Sequence, residues 1–124
     1  MRLLLDTHVV LWWRQDSRRL GRAGREAIAS AAVVYVSAAS AWEVAIKAAI
    51  GRLQLGDPFE IHVQEAGFEP LPITFAHAAE VVRLPPHHAD PFDRMLVAQA
   101  RLEGLTVVTH DRTFLAYDVH TIAV

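Results

Sequence analysis

Short apolar runs alternate with amphipathic stretches along the whole chain. Arg2–Leu5 is apolar, closes at Asp6, is too short for a helix and lacks polar alternation, which predicts a buried parallel strand. Thr7–Arg14, apolar and tryptophan-bearing, predicts a helix, and Arg18–Ala32 a more polar one with Gly21 and Gly24 near its start. Val33–Val36 is β-branched and aromatic, a second strand, and Ser37 or Ser40 can cap a helix running to about Ile50 and stopping near Gly51. Asp57 and Pro58 open a helix to about Ala66, Glu69–Ile73 reads as a short strand, and Thr74 caps a helix to about Arg83. Pro85-Pro86 breaks the chain; Asp90 as N-cap and Pro91 at the first helical position then start a helix to Glu103, which Gly104 ends. Leu105–Thr109 and Val119–Val124 are the last two strands. Strands separated by helices imply βαβ units, so the class is α/β, with a parallel sheet covered by helices on both faces.

Composition narrows this pattern. With 124 residues, 52% of them hydrophobic, and no repeat or linker, one domain spanning 1–124 is expected. The absence of cysteine excludes disulfides, thiolate metal sites and a cysteine nucleophile, and is compatible with a reducing cytoplasm. Asp6 interrupts the opening apolar run, so no export signal forms, and the longest uncharged run, Ala27–Trp42, is too short to span a membrane. A soluble, cytoplasmic protein is therefore expected. The formal charge of −2 gives no global attraction to nucleic acid, so such a partner needs a local patch or a metal.

One acid stands where an apolar residue belongs. Asp93 precedes Leu96, Val97 and Ala100 by helical spacing, at the head of the stripe that must face the core. A carboxylate there needs a hydrogen-bonded cap, a salt bridge or a cation. Ligands of parallel α/β sheets bind beyond the carboxyl ends of the strands, which adds Asp6, directly after the first strand, and Asp111, two residues after Thr109. Glu43 is the fourth, within the apolar stripe of the helix after Val33–Val36. Like charges brought together raise one another's pKa, and a hard divalent cation would relieve that. Oxygen ligation without Cys favours Mg²⁺ or Mn²⁺ completed by phosphate oxygens, hence phosphoryl chemistry. Each acid also has a local explanation: a strand-ending turn for Asp6, an Asx-turn for Asp111, an i to i+4 ion pair with Lys47 for Glu43, a capping box for Asp93. Asp90 is explained by its N-cap role. Only the set points to a site.

Leu4-Leu5-Asp6-Thr7-His8, Ser37–Lys47 with Trp42-Glu43-Val44-Ala45-Ile46-Lys47, Asp90-Pro91-Phe92-Asp93-Arg94 with Ala98-Gln99-Ala100, and Val108-Thr109-His110-Asp111 occur in this order over nearly the whole chain. In these the chain resembles the PIN-domain proteins, specifically the VapC-type toxin ribonucleases of toxin–antitoxin pairs. The resemblance implies a PIN-like three-layer fold and an endoribonuclease site dependent on Mg²⁺ or Mn²⁺. It also implies homodimers, an RNA substrate and a cognate antitoxin. By position the site would be Asp6, Glu43, Asp93 and Asp111, catalytic and metal-holding, with Thr109 as a hydroxyl that orients a ligand or water. Of Asp90 and Asp93, the second is usually the site residue in this family, in agreement with the stripe.

Other features are weighed against this reading. Arg14, Arg18, Arg22 and Arg25 recur on one helical face, but Asp16 and Glu26 among them favour a solvated surface. Lys47 and Arg94, each near a proposed site acid, are better placed to contact substrate phosphate or balance the acids. Seven histidines invite zinc, yet His87 and His88 are adjacent in a loop and no helical pair has ligand spacing. Trp12 and Trp13 read as core, with one of them available to a partner groove. The alternatives are a non-catalytic PIN-like metal- or RNA-binding module, and a phosphoaspartate protein. The second fits poorly, because a dehalogenase-like site wants an acid where His8 stands.

Overall fold

Five strands and six α-helices make up the computed structural model, which describes residues 1–124. In chain order they are β1 (Arg2–Leu5), α1 (Thr7–Arg14), α2 (Gly21–Ser30), β2 (Val33–Ser37), α3 (Ala38–Ala49), α4 (Phe59–Glu65), β3 (Glu69–Leu71), α5 (Phe75–Val82), α6 (Pro91–Glu103), β4 (Thr106–Thr109) and β5 (Thr121–Ala123). Every strand pair is parallel and the sheet order is β3-β2-β1-β4-β5. The expected α/β architecture is therefore present. Leu3, Leu4 and Leu5 of the central strand are fully buried, and the pleat divides them. Leu3 and Leu5 join a cluster with Val9 and Val10 of α1, Ile28 of α2 and Val63 of α4. Leu4 joins the opposite cluster with Leu96, Val97 and Ala100 of α6 and with Phe114. A sheet buried on both faces explains why β1 shows no polar alternation.

This order contains a reversal that matters for the site. The chain runs from β1 outward to β2 and β3, then returns through α5 and α6 to β4 on the other side of β1. The carboxyl ends of β1 and β4 thus flank the switch point, where open parallel sheets leave a crevice. Asp6 N donates to Val108 O at 3.0 Å and fixes the chain at this edge.

The local punctuation holds at most element ends. Asp90 Oδ1 accepts from Phe92 N and Asp93 N at 2.8 and 3.3 Å, Pro91 opens α6, and Gly104 closes it at φ +66°. Ser37, rather than Ser40, caps α3, and Thr74 forms a capping box with His77. Several expectations need correcting. The helix expected over Arg18–Ala32 is a 3-10 turn at Arg18–Leu20 followed by α2, because Gly21 takes φ +74° and breaks the helical path. Asp57 caps nothing: α4 starts after Pro58, and the Asp57 carboxylate faces Arg14 at 3.8 Å instead. β3 stops at Leu71, before Pro72, and carries Pro70 on the sheet edge, where a missing N–H is tolerated. β5 is shorter than Val119–Val124, and an unforeseen 3-10 turn, Arg112–Ala116, follows Asp111.

Candidate active site

Asp6, Glu43, Asp93 and Asp111 line one cleft of roughly 470 Å³ at the switch point, and Asp90 and Lys47 border it. Different elements deliver them. Asp6 is the residue between β1 and α1, so the strand end sets its position, and its side chain is almost wholly buried. Thr109, the last residue of β4, donates from Oγ1 to Asp6 Oδ2 at 2.8 Å and accepts from Asp111 N at 3.0 Å. One hydroxyl thereby ties two of the acids to one strand end.

Glu43 is buried one turn into α3. Its Oε1 lies 2.8 Å from Thr7 Oγ1, which is also 2.8 Å from Ser40 Oγ, and its Oε2 meets Lys47 Nζ at 3.1 Å. The i to i+4 ion pair and the cleft position are therefore both present. Lys47 stands beside the acids as a partial counter-charge.

Asp93 is set by the capped start of α6, with Leu96, Val97 and Ala100 buried below it as the stripe requires. Burial, then repulsion from Asp6 and Asp90, raises its pKa to about 7, a rise that His88 opposes and Glu43 reinforces. Burial likewise raises the pKa of Asp6 against the lowering effect of the Thr109 hydrogen bond. At Asp111 burial also raises, but Thr113 and His88 outweigh it through hydrogen bonds, and the pKa is lowered. Its Oδ1 accepts from Thr113 N at 2.9 Å, the Asx-turn foreseen as its local explanation.

His88 enters this cluster without having been expected there. Its Nε2 lies 3.0 Å from Asp93 Oδ2 and 2.8 Å from Asp111 Oδ2. Asp90 N donates to His88 Nδ1 at 3.1 Å, so the ring offers its proton from Nε2, between the two carboxylates. His88 N donates to Tyr117 Oη at 2.8 Å, and the ring stands edge-on to Phe114, which holds the loop in place. Adjacent loop histidines carry no sequence period. The one available signal was that His88 precedes the Asp90 cap by two residues and so shares its turn.

Arg94 does not take the place expected for it. Its guanidinium donates to Val81 O, Leu84 O and Pro85 O at 3.0, 3.3 and 3.0 Å, closing the exposed carbonyls at the end of α5. It follows Asp93 in sequence, but a one-residue step on a helix turns the side chain about 100° away. The arginine face behaves as a solvated surface: Arg14, Arg22 and Arg25 pair with Glu65, Glu26 and Asp16. The two tryptophans part company. Trp13 packs against Phe68, whereas Trp12 borders the acidic cleft.

Carboxyls pushed toward their protonated forms by burial and by one another, as at Asp6 and Asp93, form a site short of positive charge. That condition, and a donor set dominated by carboxylate oxygen, fits a hard divalent cation. Asp93 and Asp111 approach closely enough, with His88, for their ligand atoms to lie within 4.8 Å of one another. In this arrangement His88 donates to the carboxylates, which leaves the oxygens as the metal-holding atoms.

Comparison with known proteins agrees with this geometry. Residues 3–119 match the PIN domain family. The chain is 37% identical over 113 residues to Ribonuclease VapC22 of Mycobacterium tuberculosis, covering 89% of this chain and 87% of that protein. VapBC2 of Rickettsia felis, in a crystal structure bound to a DNA fragment of its promoter, superposes with a TM-score of 0.74 at 10% identity, covering 99% of this chain and 98% of that one. FitAcB of Neisseria gonorrhoeae gives 0.63 at 22% identity, over 97% and 96% of the two chains. The two structures share the fold; the sequence match, extending across the strands and helices that carry every acid of the cleft, shows that this chain belongs to the PIN domain family.

Proposed function

We propose that the chain is the toxin of a toxin–antitoxin pair, an endoribonuclease that hydrolyses RNA phosphodiester bonds with Mg²⁺ or Mn²⁺ in the cytoplasm. The observation that carries this reading is the gathering of Asp6, Glu43, Asp93 and Asp111 in one cleft at the β1–β4 switch point. RNA is the favoured substrate because the 37%-identical relative is a ribonuclease, and a protein antitoxin is the favoured partner because the same fold occurs in a toxin–antitoxin complex from Klebsiella pneumoniae. A homodimer completes the reading.

Asp6, Asp93 and Asp111 would hold the ion, which supplies charge to the phosphate and lowers the pKa of a bound water. The chain's own residues set the conditions. Thr109 fixes the rotamer of Asp6, and Thr7 with Lys47 fixes Glu43 at the wall of the cleft, where its carboxylate can orient a water or a ligand. With a pKa of about 7, Asp93 releases its proton to water at neutral pH with little penalty, and its carboxylate would then be available to a cation.

The test is cleavage of a total RNA pool by the purified chain with Mn²⁺ present. Asp6→Asn and Asp93→Asn are expected to lose at least about a hundredfold in rate. Variants that cut as fast as the parent at saturating Mg²⁺ would overturn the assignment, and RNA binding without cleavage by the parent would make this a non-catalytic module.

A further inference from the structure

The cleft has a second wall that the carboxylate chemistry leaves unused. His8, two residues after Asp6, stacks on Trp12 one turn later in α1, with ring centroids 6.1 Å apart and planes at 30°. Trp12 in turn meets His110, the residue between Thr109 and Asp111, edge-to-face at 5.7 Å and 71°. The three rings border the same cleft as the acids. Trp12 is half-buried and packs against the core beneath, while His8 and His110 are exposed. His110 is further held by Val124 O, 2.6 Å from its Nδ1. Arg19, also exposed, lies on this wall.

We propose that His8, Trp12 and His110 form a stacking ledge that receives a nucleobase of single-stranded RNA next to the phosphate held at the acids. The inference rests on the ribonuclease reading and adds what that reading lacks, a site for a base. Every nucleobase has a π-face, and unpaired RNA is recognised largely by stacking on aromatic side chains, histidine included. A carboxylate cluster can address only the backbone. The ledge begins two residues after Asp6 on one side and ends one residue before Asp111 on the other, so a base placed there is adjacent to the reacting phosphate. Trp12, covered on one side by His8, supports the ledge; His8 presents the accessible ring. Stacking without hydrogen-bond readout implies tolerance of base identity at this position, and a requirement that the base be unpaired.

The experiment compares binding of labelled single-stranded RNAs, with one abasic nucleotide walked across the cleavage site and Ca²⁺ replacing the catalytic ion. The parent is expected to lose about tenfold in affinity when the abasic position reaches the ledge, and elsewhere little. His8→Ala should show the same loss on intact RNA and no further loss on the abasic RNA; His8→Phe should restore it, and His8→Lys, which offers a nitrogen donor without a stacking face, should not. Trp12→Phe, which spares the core, should behave as His8→Phe. Equal affinity for intact and abasic RNA at every position, or losses that multiply between His8→Ala and the abasic RNA, overturn the proposal. So does a His8→Ala defect seen only in binding the antitoxin, which would make the ledge a protein-docking surface. Absence of RNA cleavage by the parent sinks the ribonuclease reading itself, whereas cleavage unaffected by His8→Ala, with no abasic effect, sinks the ledge alone.

Discussion

Thr109 Oγ1 and Asp6 Oδ2 lie 2.8 Å apart, joining the carboxyl ends of two neighbouring strands by a donor that a buried carboxylate cannot replace from solvent. Thr109→Val keeps the shape and removes that donor. Loss of a hydrogen bond to a buried acid should cost about 1.5–3 kcal/mol of stability and raise the pKa of Asp6 further. Cleavage should fall at neutral pH and recover partly as pH rises, while Thr109→Ser stays close to the parent. Denaturant melts and a pH–rate profile of the two variants check this; equal behaviour of Val and Ser would show that the hydroxyl does nothing.

His88 places one N–H between Asp93 and Asp111. His88→Ala leaves those carboxylates facing each other with only a cation to separate them. Metal-free protein at neutral pH should lose about 1.5 kcal/mol, or about 5 °C of melting temperature for a chain of this size. The rise in melting temperature on adding Mn²⁺ should be larger than in the parent. Thermal melts with and without Mn²⁺ decide the matter, and an unchanged Mn²⁺ increment would count against the bridging role.

Asp93 gives the metal-free protein a pH dependence of definite sign. Its pKa is 3.8 in an ordinary setting and about 7 in the fold. Between those values the folded chain keeps a proton that the unfolded chain has released, so stability falls as pH rises across the window. Asp93→Asn removes this term. After allowance for solvent screening, the variant should be more stable than the parent by on the order of 2 kcal/mol at pH 8 and no more stable at pH 4. Urea melts at the two pH values in EDTA test it; a constant difference would place the cause elsewhere.

Arg94 should prove a structural residue. Three main-chain carbonyls at and beyond the end of α5 depend on its planar fork. A lysine cannot reach all of them at once. Arg94→Lys should therefore cost about 2 kcal/mol in stability while KM for RNA, measured well below the melting temperature, stays as in the parent. A raised KM in a fully folded variant would restore the phosphate-contact role that the sequence suggested.

What could be read from the sequence was what neighbouring residues decide among themselves. Asp90, Pro91 and Gly104 bound α6 by local capping chemistry, and the three- and four-residue spacing from Asp93 to Leu96 and Val97 fixed the direction of its carboxylate. The strand runs fixed Asp6 and Asp111 at one sheet edge once the strands were taken as parallel. Gly21 was visible, but a single glycine does not disclose a positive φ. Asp57 looks like a cap until Arg14, far along the chain, claims its carboxylate. His88 and Arg94 escaped for the same reason: the groups that determine their roles, Asp111 for one and the carbonyls after α5 for the other, meet them only through the packing of α5 and α6.

The order of the sheet also bears on when the acidic cleft can assemble during synthesis. β1 leaves the ribosome well before β4, and Asp6 acquires its hydroxyl partner from a residue 103 positions later and one flanking ladder from β4. A nascent chain therefore carries Asp6 and Glu43 long before it owns Thr109 and Asp111. Since translation proceeds at about 5–20 residues per second, that interval lasts seconds, during which the incomplete chain lies beside ribosomal RNA and messenger. Splitting the cleft between β1 and β4 means that its set of acids is complete only after β4 has been made.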